Sequence, residues 1–187
     1  MYEVLGFVGP SGCGKDTAAH YVSGLPGFHL VTPCTTRPKR DTEKGDEYHF
    51  LDPDVFLAEI LNGDMLNAQE FRGWYYGINI EDLSDKEVNV IPMNNIMVEQ
   101  MMEEPNKKIN LKVIYIETDE KQRLLHILNR EKQPDCKEIC RRYLSDIDDY
   151  ETNEDLEDWC SYFIFNDYDY TFLYRLRKFV KRIYHKD

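Results

Sequence analysis

Short apolar runs alternate with amphipathic segments along most of the chain. Runs that are rich in β-branched and aromatic residues, and apolar on both faces, are predicted strands at 4–8, 28–32, 88–91, 111–116 and 162–165. Segments with apolar residues at helical spacing are predicted helices at 14–23, 53–61, 95–103, 119–131, 137–150 and 170–184. Buried strands alternating with helices are typical of a parallel sheet covered on both sides. The pattern predicts a doubly wound α/β core with a five-stranded parallel sheet.

One long stretch, residues 34–83, interrupts the alternation. It is rich in charged and aromatic residues and contains two short extended pieces, at 48–51 and 65–71. We therefore expect an insertion carried by the core. A polar segment with Pro134, residues 129–137, lies between two predicted helices and is a candidate mobile loop.

Composition and charge limit the possible functions. With 187 residues, 42% apolar and 31% charged, the chain is expected to form one folded domain. Its net charge of -12 argues against sequence-independent nucleic-acid binding, which needs a basic face. No segment resembles a membrane span or a signal peptide, and five scattered cysteines do not suggest a disulfide framework. A cytoplasmic protein without nucleic-acid or membrane partners is expected.

Acidic residues are concentrated near the C-terminal end. Eight of the thirteen residues from Asp146 to Asp158 are Asp or Glu. Acidic runs on predicted helices are usually solvated. We expect a solvent-exposed helix face here, with a docking surface for a partner as the alternative.

A glycine-rich segment follows the first predicted strand and opens the first predicted helix. The run GPSGCGKDT has the spacing and the strand-turn-helix context of a phosphate-binding loop, or P-loop. Glycines let backbone N–H groups approach phosphates closely, and a helix N-terminus favours anions. The predicted nucleotide-binding residues are Gly9, Ser11, Gly12, Cys13, Gly14, Lys15, Asp16 and Thr17. Lys15 is expected to neutralise the β and γ phosphates of a bound nucleoside triphosphate, and so to be catalytic.

Asp16 occupies a position that usually holds Ser or Thr, whose hydroxyl binds Mg²⁺. A carboxylate is also a good ligand for Mg²⁺, directly or through water, so Asp16 is the candidate metal residue. The alternative is an acid placed in the first turn of the helix to complement its dipole.

A second block of residues is more specific than the P-loop. The segments TTRPKR (35–40) and GDEYHF (45–50), then YYG (75–77) and Asn166-Asp167, follow the order found in guanylate kinases. The chain therefore resembles the guanylate kinase family. The resemblance implies a P-loop NTPase core (1–33, 84–125 and 143–187), an acceptor-binding insertion (34–83) and a helical lid (126–142).

The resemblance also implies an activity and further site residues. The expected reaction is ATP- and Mg²⁺-dependent phosphoryl transfer to a nucleoside monophosphate, most simply GMP or dGMP. The residues that match the family's grip on the acceptor phosphate are Arg37, Arg40, Tyr48 and Tyr76. The arginines that match those of the lid are Arg130 and one of Arg141 and Arg142. The sequence leaves open which of the adjacent pair faces the site, and whether the chain is a monomer or a homodimer.

Several positions depart from the family pattern. Where family members read guanine with a glutamate and hydroxyl side chains, this chain has Asn67, Pro33 and Ile78. The core carboxylate of the family falls on Asn94. We expect relaxed or altered base preference, unless the alignment is shifted and Gln69 or Glu70 takes the place of Asn67.

Two other functions remain open at this stage. Ribose 1,5-bisphosphate phosphokinases also carry Asp after the P-loop lysine, so a phosphosugar kinase is one alternative. The other is a non-catalytic guanylate-kinase-like interaction domain. Lys15 and the glycine-rich loop argue against the latter, because a binding module has no physical need for them.

Overall fold

The protein is described from a computed structural model, which covers residues 1–39, 45, 48–71, 73–103, 109–129, 134–150 and 156–184. The strands are β1 (Tyr2–Val8), β2 (Phe28–Leu30), β3 (Cys34–Thr35), β4 (His49–Phe50), β5 (Met65–Phe71), β6 (Trp74–Asn79), β7 (Val88–Pro92), β8 (Ile109–Glu117) and β9 (Tyr162–Phe165). The helices are α1 (Lys15–Ser23), α2 (Pro53–Asn62), α3 (Asn95–Glu103), α4 (Glu120–Asn129), α5 (Cys136–Tyr150), α6 (Leu156–Trp159) and α7 (Phe172–Tyr184).

The core is a five-stranded parallel sheet in the order β2-β7-β1-β8-β9, as the alternation of elements predicts. Successive side chains of β1 enter opposite apolar layers. Leu5 and Phe7 join the layer formed with α1 and α7, whereas Val4 and Val8 join the layer that contains residues of α3. Both faces of the central strand are therefore buried, which explains its continuous apolar sequence.

Strands β3 to β6 form a second sheet in the order β4-β3-β6-β5. β3 and β6 are additional to the extended pieces that the sequence predicts. Helix α2 packs on this sheet through Phe56, which is completely buried and stacks on Tyr75 at 5.6 Å between ring centroids. Asp52 caps α2 by accepting a hydrogen bond from the Asp54 N–H, as expected from the Asp-Pro start.

Within the described part of the chain, no helix has the length and apolar character needed to cross a membrane. The candidate loop at 129–137 lies partly outside the described residues. Its last two positions belong to α5, which begins one residue earlier than predicted.

Candidate active site

The P-loop connects β1 to α1, and its glycines have backbone angles that other residues rarely adopt. Gly12 and Gly14 have φ values of 85° and 99°. A Cβ at Gly12 would lie 2.5 Å from Ile127 Cγ1, and one at Gly14 would lie 2.7 Å from Asn166 Nδ2. Any side chain at these positions would therefore be strained and obstructed.

The loop leads directly into the first turn of α1. Gly14 is the N-cap and offers no side chain to the N–H groups of that turn, which have no partners within the helix. Lys15 is half-buried, and Asp16 and Thr17 are exposed. Free N–H groups, a lysine and the positive end of a helix dipole together suit a bound polyphosphate.

Asp16 presents an exposed carboxylate beside this loop. Within the described residues no group of three or more His, Cys, Asp or Glu side chains is arranged as a metal site. Mg²⁺ does not require one, because it commonly binds one or two carboxylates together with waters and substrate phosphates. An exposed acid in the first turn of α1 fits that chemistry.

The loop is fixed from outside by polar contacts to its backbone. Asn166 Nδ2 donates to the Cys13 carbonyl at 2.8 Å, and the Tyr168 hydroxyl donates to the Gly12 carbonyl at 2.8 Å. The Tyr168 ring stacks on His126 of α4 at 4.8 Å between centroids. The segment that follows β9 and the end of α4 thus hold the loop in place.

Ser11 is held by a buried ion pair. The Asp146 carboxylate accepts from the Ser11 N–H at 2.9 Å and from its hydroxyl at 3.1 Å. Arg123 donates to Asp146 at 3.0 Å and to the Ser11 carbonyl at 3.2 Å. The expectation that Asp146 belongs to a solvated acidic face is therefore wrong, because this carboxylate faces the P-loop and is 9% exposed.

The second sheet brings together the described residues predicted to grip the acceptor phosphate. The Arg37 guanidinium lies over the Tyr48 ring at 5.5 Å, and Tyr48 contacts Tyr76 edge to face at 6.1 Å. Thr35, at the end of β3, and Thr36 are both buried and connect this part of the chain to β6. The Thr35 hydroxyl donates to the Tyr75 carbonyl, and the Thr36 hydroxyl accepts from the Tyr75 N–H. The Thr35 hydroxyl also accepts from the Arg37 N–H at 3.1 Å. The two threonines therefore fix the backbone that carries Arg37.

A phosphate-binding loop on a parallel sheet and a basic, phenolic cluster on an inserted sheet are thus present in one molecule. The sequence model of guanylate kinases matches residues 3–176. The chain belongs to the guanylate kinase family.

Individual relatives match this chain over shorter stretches. Guanylate kinase of Salinibacter ruber is 36% identical over 87 residues, which are 45% of this chain and 46% of that protein. MAGUK p55 subfamily member 7 of Danio rerio is 32% identical over 85 residues, 44% of this chain and 15% of that protein. These matches span less than half of either relative. The crystal structure of guanylate kinase from Anaplasma phagocytophilum covers 100% of this chain and 87% of its own, with a TM-score of 0.66 and 17% identity, and shows the fold alone.

Asn67 and Asn94, two of the positions that depart from the family pattern, both hydrogen-bond to the backbone of Met97 in α3. Asn67 has a positive φ of 52° at an irregularity in the β5–β6 pairing, and its Nδ2 donates to the Met97 carbonyl at 2.9 Å. Asn94 caps α3 by accepting from the Met97 N–H at 2.7 Å. The buried Asn67 Oδ1 has no hydrogen-bond partner among the described residues. Ile78 is completely buried in the core, so its side chain offers no surface to a ligand in this structure.

Two of the arginines assigned to the lid, Arg141 and Arg142, lie on α5. Arg141 and Arg142 both bind Glu138 on their own helix, Arg141 at 2.6 and 2.7 Å and Arg142 at 2.9 Å. These hydrogen bonds, first from Arg141 and then from Arg142, lower the pKa of Glu138 to about 2. Arg40 and Arg130 lie outside the described residues.

Sequence reasoning did not select Arg123, Asp146 or Tyr168 as site residues. A signal for Asp146 exists in α5, where Ile139, Tyr143, Asp146 and Tyr150 recur at helical spacing on one side. An acid among apolar residues on the inward side of a helix indicates a buried partner. The motifs that carry the resemblance to guanylate kinases do not include Asp146 and so do not indicate that it is buried.

Proposed function

We propose that this protein transfers the γ-phosphoryl group of ATP to the phosphate of a nucleoside monophosphate. One observation carries the proposal. The P-loop, with Lys15 at the start of α1, occurs together with an inserted sheet that gathers Arg37, Tyr48 and Tyr76. A protein that only hydrolyses or binds ATP has no need of a second cluster suited to a dianionic phosphate.

On the donor side, the chain supplies position and charge. The N–H groups of the P-loop and the first turn of α1 bind the phosphates, and Lys15 neutralises charge that develops on the transferring group. Asp16 holds Mg²⁺, directly or through water. When bound, the ion neutralises charge on the phosphate oxygens.

On the acceptor side, the Arg37 guanidinium and the hydroxyls of Tyr48 and Tyr76 bind the phosphate of the nucleoside monophosphate. A guanidinium donates two parallel hydrogen bonds to phosphate oxygens, and phenols add neutral donors. Arg40 is proposed for the same role. Arg130 and one of Arg141 and Arg142 are proposed to close over the transferring group, which also excludes water.

For the base, we propose GMP or dGMP with weaker discrimination than a glutamate would give. The Asn67 amide nitrogen already binds Met97, and its Oδ1, which is buried in this structure, would be a neutral acceptor for a base that reached it. A charged acceptor left unpaired by the wrong base costs more than a neutral one. Pro33 supplies no hydroxyl, and Ile78 is buried in the core.

The test is a set of initial rates with ATP and Mg²⁺. The acceptors are GMP, dGMP, AMP, dAMP, CMP, UMP, dTMP and ribose 1,5-bisphosphate, and Lys15→Ala is the matched inactive control. We expect GMP or dGMP to be used best. A preference for GMP above about a thousand-fold over every other nucleotide would show that groups other than Asn67 read guanine.

Two results would replace the proposal. Exclusive use of ribose 1,5-bisphosphate would identify a phosphosugar kinase. The absence of transfer to any acceptor would favour a non-catalytic guanylate-kinase-like domain.

A further inference from the structure

Ser11 connects the P-loop by hydrogen bonds to side chains of α4 and α5, the two helices that extend into the proposed lid. Its N–H and hydroxyl donate to Asp146 of α5, and its carbonyl accepts from Arg123 of α4. All three polar groups of Ser11 are therefore engaged by two side chains from elsewhere in the fold. Ser11 is 135 positions from Asp146 and 112 from Arg123 along the chain.

The two side chains form a closed unit. Arg123 is 3% exposed, and its guanidinium lies 4.6 Å from the centre of the Tyr143 ring. One Asp146 oxygen accepts from Arg123 and from the Ser11 N–H, and the other accepts from the Ser11 hydroxyl. The charge is paired and both oxygens have donors. The desolvation of a buried ion pair offsets much of its attraction, so the presence of the pair does not by itself indicate a stabilising role.

We propose that Asp146 is a positioning residue for ATP binding, because it fixes Ser11 and Arg123 and thereby sets the shape of the P-loop. The inference rests on the proposed function in one respect, that ATP is the ligand of this loop. Asp146 itself touches no substrate in this scheme. It acts through the backbone of Ser11, immediately before Gly12.

The opposite role, a carboxylate that competes with phosphate for the loop, predicts the opposite sign. A competing anion would have to present charge to the phosphate site. Asp146 instead has both oxygens occupied, and its charge is neutralised by Arg123. Positioning predicts weaker ATP binding when Asp146 is changed, whereas competition predicts tighter binding.

The principal experiment compares Asp146→Asn with Asp149→Asn. Asn has nearly the same shape as Asp and can still accept from Ser11, but it cannot pair the Arg123 charge. Asp149 is an exposed acid on the same helix and controls for the loss of one negative charge. We measure the ATP Kd by calorimetry and the acceptor KM by initial rates, well below the Tm of each variant.

We expect the ATP Kd of Asp146→Asn to rise by about ten-fold or more, the effect of losing one charged interaction. The acceptor KM should stay within about two-fold, because Arg37 and Tyr48 belong to the other sheet, and Asp149→Asn should match the parent. If Asp146 had only a structural role, Asp146→Asn would lower the Tm and would change the ATP Kd and the acceptor KM to the same extent. An unchanged or smaller ATP Kd in Asp146→Asn overturns the proposal.

A second variant keeps the test decisive if Asp146→Asn does not fold. Arg123→Met with Asp146→Leu removes both charges and leaves neither unpaired, so the fold is expected to persist. Its ATP Kd should also rise about ten-fold or more, and an ATP Kd equal to that of the parent overturns the proposal. If the parent chain itself does not bind ATP, the proposed function fails and this inference fails with it. Parent binding with no response in either variant overturns the inference alone.

Discussion

The donor and acceptor sites of this molecule are built in different ways. The P-loop is a backbone site, and the side chains that hold it come from positions 112 to 156 residues away. The acceptor cluster is a side-chain site, and the hydrogen bonds that place Arg37 join residues at most 40 apart within one sheet. The shape of the donor site therefore depends on the whole core, whereas that of the acceptor site depends on its own sheet. Changes at one site should leave the other nearly intact.

The largest expected effect is at Lys15. Lys15→Ala removes a charge that neutralises the transferring phosphoryl group, so kcat should fall by about two orders of magnitude or more. Acceptor binding, measured directly by calorimetry, should be unchanged. A variant that transfers phosphate at close to the parental rate would remove Lys15 from the chemistry.

A smaller effect is expected at Arg37. Arg37→Ala should lower kcat/KM for the acceptor by about ten- to a hundred-fold, the value of one charged hydrogen bond, and leave the ATP Kd unchanged. Arg37→Lys retains the charge but not the planar fork, and should recover only part of the loss. An equal weakening of ATP binding would show that the two sites are not independent.

Gly14→Ala tests the backbone character of the donor site. The added methyl group meets Asn166 at 2.7 Å at a φ of 99°, so we expect a loss of about 1 to 3 kcal/mol in stability and weaker ATP binding. Gly63 is the control, because it also has a positive φ, 80°, but nothing lies within 4 Å of a Cβ there. Thermal unfolding and ATP titration of both alanine variants provide the comparison. Equal ATP affinities in Gly14→Ala and Gly63→Ala would mean that the P-loop tolerates the added methyl group at Gly14.

The smallest expected effect concerns Glu138. Its pKa in the fold, about 2, is below the ordinary value of 4.5, so its ion pairs stabilise the fold fully above pH 4.5. This contribution is lost as the pH falls from 4.5 towards 2. Because the pairs are at the surface, we expect Glu138→Gln to cost less than about 1 kcal/mol at pH 6 and nothing near pH 2. A difference that persists at pH 2 would exclude an ionic origin.

The same contrast explains what the sequence could predict. The bounds of α3, β5 and β9 follow from local periodicity and agree with the structure, and the P-loop is a contiguous motif. The two-residue strand β3 has too few positions to show a period. The burial of Asp146 depends on a loop 135 residues away, and an acid-rich segment usually lies in water. Motifs whose residues are contiguous in the sequence were therefore predictable. The side chains that hold the P-loop from distant positions, such as Asp146, were not.

Cysteine reactivity distinguishes α5 from both sites. Burial raises the pKa of the Cys13 thiol, inside the P-loop, and raises that of Cys34 to about 11 and that of Cys160 to about 12. The thiolate is the reactive form, so these three cysteines resist alkylation. Cys136 and Cys140 are exposed and lie on α5, the helix that carries Asp146. A fluorophore attached to the native chain therefore reports on the helix that contacts the P-loop without modifying the loop itself.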